Sequence, residues 1–191
     1  ELHAVMWENG LVTDLGVGAA IAVNEHGQVV GGIDTASGEH YAALWENGVR
    51  TVLGSLGGRY TYPMAINDRG QVVGDSSTAA GEGHAFLWEN GVMTDLGTLG
   101  GDYSSAGAIN GRGQVVGSSS TASGEEHAFL WENGVMTDLQ AFHVNAIYGE
   151  RPGFDPRMNG FPYEFTWLDG PALKRYLDVL SVSKEILSVG S

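Results

Sequence analysis

The chain of 191 residues contains no cysteine. That excludes a disulfide framework, a thiolate metal site and a cysteine nucleophile, and leaves the compartment open. Basic residues are scarce too: 9 Lys and Arg stand against 23 Asp and Glu, for a formal net charge of -14. A surface of that sign repels nucleic acid and anionic membranes, so neither is expected as a partner. The imbalance is uneven, with 17 acids and 4 bases in residues 1–149 but 6 and 5 in residues 150–191. No run approaches the roughly 18 apolar residues of a membrane span, and no secretory leader is visible. The chain opens on ELHAVMWENG, already inside a repeat, as a processed or trimmed piece would. Helical periodicity is missing until PALKRYLDVL at 171–180, which reads either way. No G-x-S-x-G or H-E-x-x-H motif occurs.

What the chain has instead is repetition. HAFLWENGVMTDL occupies residues 84–96 and returns unchanged at 127–139. Tryptophan anchors the period: HAVMWENG, YAALWENG, two copies of HAFLWENG and a degraded YEFTWLDG carry Trp7, Trp45, Trp88, Trp131 and Trp167. The spacings are 38, 43, 43 and 36 residues. Between the anchors lie AVNEHGQVVGG (22–32), AINDRGQVVGD (65–75) and AINGRGQVVGS (108–118). A period near 40 marks a solenoid or a propeller.

Local patterning separates these two. Asn-Gly splits the apolar runs AFLW and VMTDL, and both of its residues accept positive φ, which makes it the strongest short hairpin signal. AIN and QVVG are two further short runs divided by a glycine turn. Each period therefore reads as four strands, A (AIN), B (QVVG), C (HAFLW) and D (VMTDL), the pattern of a propeller blade. Residues 2–15 supply a C–D pair, and three full A–B–C–D sets run to residue 139. A degenerate A–B pair falls within 141–160, C–D at 163–177, and a last A–B pair at 179–191. The expectation is one all-β domain over 1–191, a five-bladed β-propeller of four-stranded antiparallel blades. The terminal half-blades 2–15 and 179–191 would pair to close the ring and remove its exposed edges. Trp88 and Trp131 are expected in the core, and the glycines of VVG and LGG at tight turns or close backbone approaches.

The unit HAFLWENGVMTDLGTLGGDYSSAGAINGRGQVVGSSSTASGE resembles the HAF family of bacterial extracellular repeats. The family's His-Ala-Phe signature stands here as His84-Ala85-Phe86 and His127-Ala128-Phe129. The match is close over 83–139, good back to residue 1 and poor beyond Gln140. The resemblance implies a secreted or cell-surface location and propeller-like repeats, and carries no catalytic residue over.

Several positions invite a functional reading. His3, Tyr41, His84, His127 and Tyr163 precede the anchor tryptophans by four residues. They read as a ring of ligands or bases, or as strand residues bonded to Asp14, Asp95 or Asp138. The B–C loops carry Asp34, Glu39, Asp75, Glu82, Glu125 and Glu126, hard oxygens that would suit calcium, although no dense D-x-D-x-D-G run is present. No other cofactor is indicated. The D–A loops vary most: LGGRYTYP offers Arg59, Tyr60 and Tyr62, and LGGDYSS offers Asp102 and Tyr103. Tyrosine beside charge suits sugar recognition, where a ring stacks on C–H groups and polar tips bond hydroxyls; inter-blade packing is the competing role. The segment 141–165 abandons the repeat and gathers His143, Asp155 and Arg157.

Glycosidase chemistry needs paired carboxylates. The inner strands supply Asn24, Asn67 and Asn110 instead, with Glu25 and Asp68 in turns on the opposite face. The reading is therefore a secreted or surface non-catalytic module that binds carbohydrate or another cell-surface ligand. One alternative is a structural, self-assembling surface protein; another is a hydrolase or lyase using 141–165. Nothing in the sequence sets an oligomeric state.

Overall fold

A computed structural model describes residues 2–139. Fourteen strands and no helix occur among them. A separate hairpin comes first, β1 (His3–Glu8) with β2 (Leu11–Val17). Three four-stranded antiparallel units follow. Unit I is β3 (Ala19–Val23), β4 (Val29–Asp34), β5 (His40–Glu46) and β6 (Val49–Gly54). Unit II is β7 (Gly57–Ile66), β8 (Val72–Thr78), β9 (Gly83–Glu89) and β10 (Val92–Asp95). Unit III is β11 (Gly100–Ile109), β12 (Val115–Thr121), β13 (Glu126–Glu132) and β14 (Val135–Asp138). Single parallel bridges, His40 to Tyr60 and Gly83 to Tyr103, join each unit to the next. The all-β expectation holds across these residues, with four strands per period. Residues 141–165 and 179–191, on which the fifth blade and the ring closure depend, lie outside the described residues.

The turns follow from residue chemistry. Asn9, Asn47, Asn90 and Asn133 adopt φ of 50 to 52°, each followed by a glycine at 76 to 85°. Two consecutive left-handed residues make the tight turn whose twist matches the flanking strands. Each Asn-Gly accordingly joins strands C and D with the flanking Glu opposite Leu11, Val49, Val92 or Val135.

The A–B turns are closed by side chains. Asn67 Oδ1 accepts hydrogen bonds from the backbone N–H of Arg69 and Gln71, both at 3.0 Å. Its Nδ2 donates to Gln71 Oε1 (2.7 Å) and, across the unit boundary, to the Asn110 carbonyl (2.9 Å). Asn24 does the same one period earlier, reaching the Asn67 carbonyl at 2.9 Å. Gln28, Gln71 and Gln114 pass the network to Glu46, Glu89 and Glu132 at 2.7, 3.0 and 2.7 Å. The Asn of AIN, the Gln of GQVVG and the Glu of WENG thus form one recurring structure. The three asparagines are not inner-strand residues, as the sequence reading has them. They sit just past the strand ends, because a short amide there satisfies turn N–H groups that the ladder leaves open.

The core lies between units. Val30, Ala42, Leu44 and Leu53 of unit I pack against Val72, Phe86 and Trp88 of unit II. Val73, Ala85, Leu87 and Leu96 on the other face of unit II meet Ala106, Ile109, Val115 and Phe129 of unit III. Successive side chains of a strand point to opposite faces. With a neighbour on both sides, VV and AFLW must be apolar at every position. Gly74 makes the close approach possible: a Cβ there would lie 1.9 Å from the Tyr62 carbonyl oxygen, and Gly31 and Gly117 repeat the contact.

Candidate functional site

The D–A end of the strands carries the aromatic residues singled out in the sequence. The structure places Arg59, Tyr60, Tyr62, Asp102 and Tyr103 within β7 and β11, not in loops. The sheet continues through LGG because serine side chains replace missing ladder bonds. Pairing between β7 and β8 jumps from Gly57–Thr78 to Thr61–Ser76. In the gap the Tyr60 N–H donates to Ser77 Oγ at 3.0 Å, and the Leu56 N–H to Ser76 Oγ at 3.0 Å. Ser120 and Ser119 repeat both bonds for Tyr103 and Leu99, at 3.0 and 2.8 Å.

Tyr60 and Tyr62 stack with centroids 6.4 Å apart and planes 12° from parallel. His40 joins them, 6.2 Å from Tyr60 and 5.8 Å from Tyr62. The tyrosines remain 39 and 37% exposed, so the rings offer edges and faces to solvent. Asp75 anchors the group from below. Only 7% exposed, it accepts the Tyr60 hydroxyl at 2.9 Å and the Ser105 hydroxyl at 3.0 Å. Burial, then the bond to Asp75, pushes the Tyr60 hydroxyl well above the usual tyrosine range. The bond to Asp75 fixes the orientation of the Tyr60 ring. His40 bonds Asp34 through Nδ1 at 2.8 Å. Arg59 Nε lies 3.5 Å from Glu39. The Ser37 and Thr35 hydroxyls, then Arg59, hold the Glu39 carboxyl below its usual range.

One period on, Tyr103 covers Gly83 much as His40 covers Gly32. Tyr103 is 44% exposed, and Asp102 is exposed beside it. The structure thus brings Arg59, Tyr60 and Tyr62 together and puts Tyr103 on the same end of the next unit. His143, Asp155 and Arg157 lie outside the described residues.

Three of the histidines that precede the anchor tryptophans are paired with aspartates on the neighbouring strand. His3, His84 and His127 approach Asp14, Asp95 and Asp138 through Nδ1 at 2.9 Å, each linking strands C and D of one unit. The Gly16 N–H, then His3, holds the Asp14 carboxyl below its ordinary value. Tyr41 takes the same position in unit I, and Tyr163 lies outside the described residues. The acids proposed for calcium are dispersed: Asp75 serves Tyr60 and Ser105, Asp34 serves His40, and Glu125 accepts from Ser123 at 3.0 Å. No group of three or more His, Cys, Asp or Glu is arranged for a metal among the described residues.

Two contributors to the tyrosine group were not assigned to it from the sequence: His40, and Asp75, which the sequence reading grouped with the calcium candidates. His40 stands where unit II has Gly83, and Asp75 where units I and III have Gly32 and Ser118. The signal was present as single-copy departures inside well-kept segments.

The geometry defines an all-β array of four-stranded units with an asymmetric aromatic face. No protein-family model and no curated protein matches the chain. Among solved structures it is similar to the β-propeller domain of the Trilobed protease from Pyrococcus furiosus, at 16% identity and a TM-score of 0.49 over 71% of this chain and 44% of that one. It is also similar to Pyrococcus horikoshii acylaminoacyl peptidase, at 15% identity and a TM-score of 0.48 over 78% of this chain and 24% of that one. The chain spans less than half the length of either. Both scores fall below one half, and the architecture above rests on the chain's own strand order and registers.

Proposed function

We propose that the chain forms a secreted or surface-displayed β-propeller that binds carbohydrate without transforming it, on the aromatic face around Tyr60 and Tyr62. The observation that carries this reading is the three-ring stack. Near-parallel rings, held from beneath by Asp75 and His40, lose little freedom when a sugar settles on them. Arg59, next to Tyr60 in the chain, and Asp34, bonded to His40, would serve as partners for hydroxyls. On a glycan array the wild-type chain retains one class of glycan, and Tyr60→Ala with Tyr62→Ala weakens that binding at least about tenfold, the equivalent of ~1.4 kcal/mol. An array on which the wild type retains nothing, or on which the variant binds equally, rejects the reading.

We further propose that the propeller has five blades, closed by residues 179–191 against the β1–β2 hairpin. Support comes from the hairpin's open face. Val5 and Trp7 are 53 and 70% exposed, whereas Phe86 and Trp88 at the same positions of unit II are 0 and 8% exposed. Truncation after Leu177 is expected to lower the melting midpoint by about 5 °C or more, given roughly 2–4 °C per kcal/mol at this chain length. An unchanged midpoint would rule closure out.

A further inference from the structure

The opposite end of the strands holds a cleft that the aromatic face does not use. It lies between units II and III, measures about 430 Å³ and is open to solvent. Arg69, Gln71, Leu87 and Glu89 line one side, and Arg112, Gln114, Trp131 and Glu132 the other. That volume falls within the usual range of small-molecule sites, about 300–1,000 Å³.

The lining has a definite chemistry. Residues 2–139 contain four arginines and no lysine, and two of the four are in this cleft. Arg59 is paired with Glu39, and Arg50 donates to the Val17 carbonyl at 3.3 Å. Arg69 donates to Gln71 at 2.9 Å and extends over Gly113 of the next unit. The Arg112 guanidinium has no hydrogen bond or ion pair among the described residues. Glu89 and Glu132 each take one bond from a glutamine amide, which fixes them and leaves acceptor capacity free. Trp131 forms an apolar wall. Its counterpart Trp88 is buried at the junction of units I and II, while Trp131, expected in the core from the sequence, is only partly buried and lines the cleft. At the Arg69 position unit I has His26.

We propose that this cleft binds a carboxylated sugar unit of the uronic-acid type. The carboxylate pairs with Arg112, assisted by Arg69; the fixed glutamates accept ring hydroxyls; the C–H face of the sugar lies on Trp131. Guanidinium matches carboxylate through paired N–H donors, and an indole beside polar acceptors suits a ring with one apolar face. A bare anion would leave both the indole and the glutamate acceptors unused. This site is separate from the tyrosine face and does not depend on it.

The test is calorimetric titration of the full chain with galacturonic acid, with galactose as its neutral twin and inorganic sulfate as the bare anion, followed also by indole fluorescence. Galacturonic acid is expected to bind saturably with a change in fluorescence, and at least tenfold more tightly than either comparison compound. Arg112→Gln, at an exposed turn, is expected to weaken it at least tenfold with the melting midpoint unchanged. The Tyr60→Ala, Tyr62→Ala variant should bind it as the wild type does. No saturable binding at millimolar concentration overturns the proposal, as does equal binding by the Arg112→Gln variant. Sulfate binding as tightly as the uronate reduces the cleft to a plain anion site and overturns it too. Loss of uronate binding in the tyrosine variant would put the ligand on the other face, again against the proposal.

Discussion

Replacing Trp88 with alanine is expected to lower the free energy of unfolding by about 3–5 kcal/mol, measured by urea denaturation, as for large-to-small changes of aromatic residues in packed cores. Trp88 is 8% exposed and packs with Val30, Leu44, Leu53, Val72 and Phe86 from two units. Its removal opens a void between two sheets that are each held by their own ladder hydrogen bonds. Trp7 provides the contrast. With its face open, as it is within residues 2–139, Trp7→Ala costs less than about 1 kcal/mol; with the ring closed it costs as much as a core residue. A loss below 1 kcal/mol for Trp88→Ala would mean that the units do not pack through this side chain.

A single methyl group at Gly74 is expected to do comparable damage. Its Cβ would sit 1.9 Å from the Tyr62 carbonyl oxygen and 2.9 Å from Pro63 Cα, both backbone atoms of the paired strand β7. No rotamer change relieves that contact, so the strands must separate. Gly74→Ala should cost roughly 3 kcal/mol, the upper part of the range for overpacking. Gly107→Ala is the matched control. Its nearest neighbour would be the Val116 carbonyl oxygen at 3.9 Å, and Ile21 and Met64 already occupy the same bulged position in units I and II. Little change is expected there. Equal effects at the two glycines would refute the steric account.

Much of the architecture could be read from residue order alone. Asn-Gly at a constant place in each period specifies the C–D hairpin through backbone sterics, and the structure has it at Asn9, Asn47, Asn90 and Asn133. Unbroken apolar runs mark strands covered on both faces, as Val72 and Val73 show by pointing to different neighbours. The A strands were harder to delimit. LGGRYT has the composition of a loop, and what keeps it in the sheet is the set of hydroxyls on β8, a relation between distant residues that local propensity does not register. The aromatic site was half visible for a related reason. Tyr60, Tyr62 and Tyr103 stand out as variable, exposed types, whereas Asp75 and His40 gain meaning only once folding sets them against Tyr60. A repeat directs attention to what recurs, and those two residues occur once each.

The asparagine column has a consequence for how such a chain can change length. Asn24 bonds the carbonyl of Asn67, and Asn67 that of Asn110, each step spanning 43 residues. Among the described residues both junctions between units thus share this bond, made by the same atoms in the same sense, so the bond itself does not record which two units meet there. Excising or copying one whole period by unequal recombination would leave the new neighbours with the asparagine bond that the old ones had. The number of such four-stranded units can then vary in whole steps while the asparagine bond at each junction is kept. The thirteen residues shared unchanged by 84–96 and 127–139 are what a recent step of that kind leaves behind.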